Sequence, residues 1–238
     1  MMGFPFEHFP ALSAIGICRH VFTQRIPGID LSHDKAEVLK RLDFAHREIR
    51  NAIGVGDWPL FTAQQIHGNK IAVVDEVGSA LRADRGRRGA ASLPNREFPG
   101  CDGIITNQRG VALGIYVADC CAVYIVDPKT PAIGLVHSGR KGTELGVVPN
   151  AIMQMIDRFG SNPANMIAQL SPCVRPPHYE VDFATEIVRQ CRALGVKEIY
   201  DSGVCTACDI DRYYSYRAEK GKTGRMLALI GLNPTIAD

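Results

Sequence analysis

Three short apolar runs, 111–117, 122–126 and 132–136, dominate the stretch GCDGIITNQRGVALGIYVADCCAVYIVDPKTPAIGLVHSGRKG at residues 100–142. Each is rich in Val, Ile, Leu or Tyr. Turn chemistry bounds them, Gln108-Arg109-Gly110 before the first and Asp127-Pro128-Lys129-Thr130-Pro131 before the last. That is a strand pattern. The runs are nearly continuous rather than alternating, so the strands are expected to be buried on both faces. Polar, reactive residues sit where they end: Asp119, Cys120 and Cys121 after one, His137 and Ser138 after another. Ionisable groups at the ends of buried strands are costly unless they pair or bind something. The segment reads as a core sheet with a site on its rim.

The flanking sequence supplies further strands and helices. A first strand is expected over 14–22, leading to Thr23-Gln24-Arg25, and the IPGID that follows reads as a turn. Between Asp34 and Ile53 the apolar residues Val38, Leu39, Leu42, Ala45 and Ile49 fall at helical spacing, with Asp34 and Glu37 as a capping box and Gly54 as the stop. Strands are expected over 60–66 and 70–74, with His67-Gly68-Asn69 as the tight turn of a hairpin. Residues 79–100, with Arg82, Arg85, Arg87, Arg88 and Arg96 among Gly, Pro and Ser, read as an irregular surface loop. Helices follow over 147–159 and 183–194, strands over 166–170, 198–200 and 226–232, and a helical turn over 212–217. With no internal repeat and no break in composition, one α+β domain spanning 1–238 is expected.

A net charge of +2 gives no reason to expect nucleic acid or an anionic membrane as partner. No apolar run reaches the length of a membrane span, and the start of the chain lacks a basic segment followed by a long apolar one. A cytoplasmic protein is the expectation, with its eight cysteines as free thiols.

His67, Cys120 and His137 each end an expected core strand. Two imidazoles and a thiolate form a good Zn²⁺ shell with a fourth position open for water, although spacing alone does not bring them together. Taken singly, each is equally a hydrogen-bonded histidine or a small buried thiol. Of Cys120 and Cys121, neighbours on an extended strand, one faces the site and the other the core. Asp102 and Asp119 are acids beside it, able to orient a histidine, shuttle a proton or cap a turn. The Gly139–Arg140–Lys141–Gly142 turn offers backbone N–H groups and two cations to an anion such as phosphate, without the spacing of a P-loop. Cys205-Thr206-Ala207-Cys208 has the C-x-x-C spacing of zinc or redox motifs, but no second pair accompanies it, so it reads as structural. Cys173 reads as core.

The motifs Gln65-Ile66-His67-Gly68, Asp102-Gly103-Ile104-Ile105-Thr106-Asn107, Ala118-Asp119-Cys120 and His137-Ser138-Gly139 resemble those of the laccase-domain family. Pro172-Cys173, Tyr179-Glu180-Val181, Tyr214-Ser215-Tyr216-Arg217 and Thr223-Gly224-Arg225 extend the resemblance in the family's order, from about Thr23 onward. That family has been described as multicopper polyphenol oxidases and as zinc-dependent purine nucleoside phosphorylases. The resemblance implies a four-layer α/β/β/α sandwich with mixed sheets. It implies one zinc per chain on His67, Cys120 and His137, which selects Cys120 over Cys121. The implied activity is phosphorolysis of adenosine, inosine and methylthioadenosine with some adenosine deamination, in a monomer or homodimer. Asp119 is then the candidate proton donor to the leaving base. Arg25, Ser138, Gly139 and Lys141 are the candidate phosphate-binding residues.

The sequence departs from the family pattern around the expected pocket. Arg140-Lys141 stand where the family has Trp-Arg, Val117 where it has Thr, and Ala122 where it has Pro. Two rival activities are carried forward. A multicopper oxidase needs many histidines, commonly in His-x-His pairs, and this chain has seven and no such pair. Copper can still compete for the same three ligands. The second rival is a metal-free cysteine hydrolase with Cys120 as nucleophile and His137 or His67 as base, acting on an amide such as a cell-wall precursor. A non-enzymatic binding protein that keeps the ligands is the third.

Overall fold

A computed structural model describes residues 3–75 and 96–234. Its twelve strands lie in two mixed six-stranded sheets. In chain order they are β1 (Phe6–Glu7), β2 (Cys18–Thr23), β3 (Leu60–Ala63), β4 (Ile71–Val74), β5 (Arg96–Phe98), β6 (Gly103–Thr106), β7 (Ala112–Val117), β8 (Cys121–Asp127), β9 (Ala132–Ser138), β10 (Ile167–Leu170), β11 (Glu198–Asp201) and β12 (Met226–Leu232). The first sheet runs β1-β2-β12-β7-β3-β5 and the second β11-β10-β8-β9-β6-β4. The helices are α1 (Pro10–Ser13), α2 (Lys35–Ala52), α3 (Arg140–Glu144), α4 (Val147–Phe159) and α5 (Phe183–Ala193).

The two sheets face each other, and the pleat of β8 shows the layering residue by residue. Ala122, Tyr124 and Val126 point into the core between the sheets, where they meet β12 and β7. Cys121, Val123 and Ile125 point the other way, into a second core closed by α4 and α5. Helix α2 covers the outer face of the first sheet with Val38, Leu42, Ala45 and Ile49. The result is the expected α/β/β/α order. Both faces of β8 and β9 are covered, which is why these sequences lack alternation. Tyr124 bonds the sheets across the inner core, its hydroxyl donating to the Val21 carbonyl at 2.8 Å.

Several local expectations are corrected. The three central runs do not share a sheet: β7 is in the first, β8 and β9 in the second. Nor do β3 and β4 form a hairpin around His67; they belong to different sheets, and the segment between them is a crossing. The strand expected over 14–22 begins only at Cys18, after the short helix α1. Arg96–Phe98, expected in a loop, pairs in parallel with β3. Arg82, Arg85, Arg87 and Arg88 lie outside the described residues. Residues 212–217 form turns, not a helix, whereas Gly139 opens directly into α3 as its N-cap. The Asp34 cap of α2 holds, its carboxylate accepting from Glu37 N–H at 2.9 Å.

Candidate metal centre

Three links cross from the first sheet to the second, and each delivers polar side chains to one place. The β3–β4 link carries Gln65 and His67, the β5–β6 link Asp102, and the β7–β8 link Asp119 and Cys120. His137 joins them from β9. Ligand atoms of His67, Cys120 and His137 all lie within 4.8 Å of one another, with Cys120 Sγ 3.9 Å from His67 Nε2. The imidazoles meet edge to face, their centroids 4.8 Å apart. Cys121, as the alternation of an extended chain requires, points away into the second core, where Cys173 is also buried.

A single buried carboxylate holds both histidine segments. Asp102 Oδ1 accepts from His67 N–H at 2.8 Å and from His137 Nδ1 at 2.9 Å, and Oδ2 accepts from Gly68 N–H at 2.7 Å. With Nδ1 committed to the carboxylate, Nε2 of His137 is free to act as a ligand. Burial pushes the Asp102 carboxyl up, but the bonds from His137 and Gly68 outweigh it and hold it below its ordinary value. Burial likewise pushes the Cys120 thiol up, and the charge of His137 with hydrogen bonds from both histidines overrides it, bringing it down to about 6. His137 moves the opposite way: burial lowers it, while the Cys120 charge and the Asp102 bond raise it to about 9. A thiolate, two imidazoles and an oriented carboxylate behind one of them fit a divalent zinc or copper ion.

The backbone here is under unusual constraint. Among the described residues, the non-glycine positions with positive φ are Gln65 (64°), His67 (61°), Asp119 (81°) and Lys220 (51°). All four line one cavity of about 710 Å³ that has the three ligands in its wall. Such conformations cost on the order of 1 kcal/mol or more each and persist where surroundings dictate them. Gln65 shows how: its amide brackets Tyr116, donating to the carbonyl at 2.6 Å and accepting from N–H at 2.9 Å. At Gly139 a side chain would force the thiolate to shift, since a Cβ would lie 2.5 Å from Cys120 Sγ.

Aromatic and cationic side chains share the cavity wall. Tyr116, Tyr179, Phe183 and Tyr216 supply faces; Lys35, Arg140, Arg217, Lys220 and Arg225 supply positive charge. Arg217 lies over the Tyr179 ring at 5.2 Å and pairs with Glu180 at 3.2 Å. Arg225 lies 5.9 Å over Tyr216. Its pKa is lowered by desolvation, against the pull of Cys120, and that of Lys35 is lowered by desolvation and then by Arg225. Two crowded, partly desolvated cations favour an anion between them.

Of the residues expected to bind phosphate, only Gly139 lines this cavity. Arg25 is engaged elsewhere, 2.8 Å from Glu219 and stacked 4.5 Å over Tyr214. Ser138 is buried against Thr143 Oγ1 at 2.8 Å, and Lys141 is exposed on α3. Asp119 lines the cavity, but its Oδ1 accepts from Thr206 Oγ1 at 2.7 Å and its Oδ2 from Arg217 N–H at 2.6 Å. Sequence reasoning missed Lys35 and Tyr116, whose helical and strand spacing mark them only as parts of their elements. Arg225 and Tyr216 sat within quoted motifs and drew no role.

Comparison with known proteins follows the same lines. A family profile described as multi-copper polyphenol oxidoreductase laccase matches residues 16–187 and 181–233. A purine nucleoside phosphorylase, YlmD of Bacillus subtilis, is 26% identical over 91% of this chain and 85% of its own length. Purine nucleoside phosphorylase SCO2081 of Streptomyces coelicolor is 29% identical over 79% of this chain and 82% of its own. The crystal structure of YlmD from Geobacillus stearothermophilus superposes with a TM-score of 0.75 at 22% identity, covering 96% of this chain and 99% of that one.

Proposed function

The chain belongs to the multi-copper polyphenol oxidoreductase laccase family, and from that premise we propose that it is a zinc-dependent purine nucleoside phosphorylase. The carrying observation is the His67–Cys120–His137 cluster in the wall of a cavity lined by aromatic faces and cationic side chains. The relatives' names, purine nucleoside phosphorylase, support the same reading. Adenosine, inosine and methylthioadenosine are the proposed substrates, and adenosine deamination a side activity.

Each part of the reaction finds a counterpart in the chain. Phosphorolysis brings a phosphate oxygen to the anomeric carbon while the bond to the base breaks, so an anionic and an aromatic group must be held side by side. Lys35 and Arg225 hold the phosphate, and Tyr179, Phe183 and Tyr216 cover the purine. Asp119, with both oxygens accepting bonds from the chain, positions the Arg217 segment in this scheme. Asp102 keeps Nε2 of His137 turned to the ligand position. His67, Cys120 and His137 would hold the zinc, which supplies a Lewis acid and an activated water when bound. A copper ion on the same three residues is the substitute, but seven histidines without a His-x-His pair do not provide for a multicopper cluster.

One observation favours a second reading. A Cys120 thiol brought down to about 6 beside a His137 raised to about 9 is also the electrostatics of a cysteine nucleophile with its base. Release of free base from adenosine, assayed with and without phosphate and after chelation, separates the two. Phosphate-dependent release that chelation abolishes and zinc restores upholds the phosphorylase. Amide hydrolysis that survives chelation replaces it.

A further inference from the structure

The C-x-x-C turn is not alone in the folded chain. His178, remote in sequence, lies against it, with Nδ1 3.3 Å from Cys208 Sγ. Ligand atoms of His178, Cys205 and Cys208 all fall within 4.8 Å of one another. We propose that these three residues form a second metal site, distinct from the cavity, that binds a soft divalent cation of the zinc class.

The chemistry of the donors carries the assignment. Two thiolates and one imidazole match zinc in charge and softness, and the imidazole contact is already near the edge of a tetrahedron with zinc–ligand bonds, about 3.5–3.8 Å. The remaining distances need a closure of about 1 Å at most. The cysteine side of the site is anchored. Cys173 and Cys205 form a parallel bridge, with Cys173 N–H donating to the Val204 carbonyl and Thr206 N–H to the Cys173 carbonyl, each at 3.1 Å. Cys208 N–H donates to the Cys205 carbonyl at 3.2 Å, which folds the turn so that both sulfurs face one way. His178 and Cys208 are exposed, so a cation has access and a fourth position meets solvent.

Its position gives the site a task. Thr206, between the two cysteines, is the residue that donates to Asp119, the neighbour of Cys120. Tyr179, next to His178, lines the cavity. A cation on His178, Cys205 and Cys208 therefore joins the turn behind Asp119 to the segment that carries Tyr179. It acts as a brace for the cavity rather than as part of the chemistry.

The test is metal content by mass spectrometry, on protein purified without an affinity tag under reducing conditions, for wild type, Cys208→Ser and Cys120→Ala. Both sites occupied gives two zinc ions per chain, with one lost in each variant. One zinc that survives Cys120→Ala and disappears in Cys208→Ser upholds this site and overturns the cavity site. One zinc that disappears in Cys120→Ala and is untouched by Cys208→Ser overturns this one. A cobalt titration gives an independent readout. Two of the three proposed thiolate ligands are here, so sulfur-to-cobalt absorption should fall by roughly two thirds in a Cys205→Ser/Cys208→Ser double variant. An unchanged spectrum rejects the proposal.

Discussion

Asp102 and His137 are joined by a 2.9 Å bond between Oδ1 and Nδ1, in which the same carboxylate also holds the backbone of His67 and Gly68. Two of the three ligands therefore depend on one side chain. Asp102→Asn places an amide where three donors converge, and one of them must lose its partner. Metal affinity is expected to fall about 10–100-fold, read by competition with a chelating dye. Affinity equal to wild type would show that the carboxylate does not orient His137.

Gly139→Ala tests the space around the thiolate. The φ of Gly139 is −96°, so alanine meets no backbone strain, yet its Cβ falls 2.5 Å from Cys120 Sγ. The sulfur has to move. The expected loss is more than tenfold in metal affinity, with a stability cost of about 1–3 kcal/mol from overpacking. A variant that binds metal normally removes the argument that this glycine makes room for the ligand.

Lys35→Met is expected to weaken phosphate use specifically. Loss of a charge-assisted contact corresponds to about 10–100-fold in the KM for phosphate, with a smaller change in the KM for the nucleoside. Equal changes in both would assign Lys35 to general binding. No change would remove it from the phosphate site.

Acid sensitivity should come partly from His46. It is buried against Tyr116, its Nε2 has no hydrogen-bond partner among the described residues, and burial lowers its pKa to about 4. The folded chain thus refuses a proton that the unfolded chain accepts at its ordinary 6.5. Stability is full above that value and declines as pH falls from 6.5 towards 4, by on the order of 3 kcal/mol from this group. Buried His20, also lowered to about 4, adds in the same direction. Denaturant midpoints across this range should flatten in His46→Leu. A slope identical to wild type would place the acid sensitivity elsewhere.

What the sequence made legible was the local pattern. The apolar runs at 111–117, 122–126 and 132–136 became β7, β8 and β9, and the spacing from Val38 to Ile49 became the buried face of α2. What it hid was partnership. Nothing in the composition of β7 and β8 reveals that the chain changes sheets between them, because both are apolar on both faces. The turn at His67 looked like a hairpin because residues, not strand partners, set turn chemistry. The cluster of three ligands was suggested by strand ends and by the family resemblance, whereas Arg25 looked available until its Glu219 and Tyr214 partners were placed. His178 carried no local signal at all, since the residues that make it a candidate ligand lie near position 205.

Strand β12 lies in the interior of the first sheet, between β2 and β7, although it follows every other described strand in the chain. All strands of the second sheet, from β4 to β11, leave the ribosome earlier. Until β12 arrives, β1 and β2 have no bonded link to β7, β3 and β5, and the inner face of the second sheet lacks part of its cover. The nascent chain must therefore keep a slot open, with Tyr124 and Leu135 awaiting their neighbours, and closes by inserting β12. Stalled or prematurely ended synthesis leaves that slot exposed, and such a product is a natural client for chaperones and proteases.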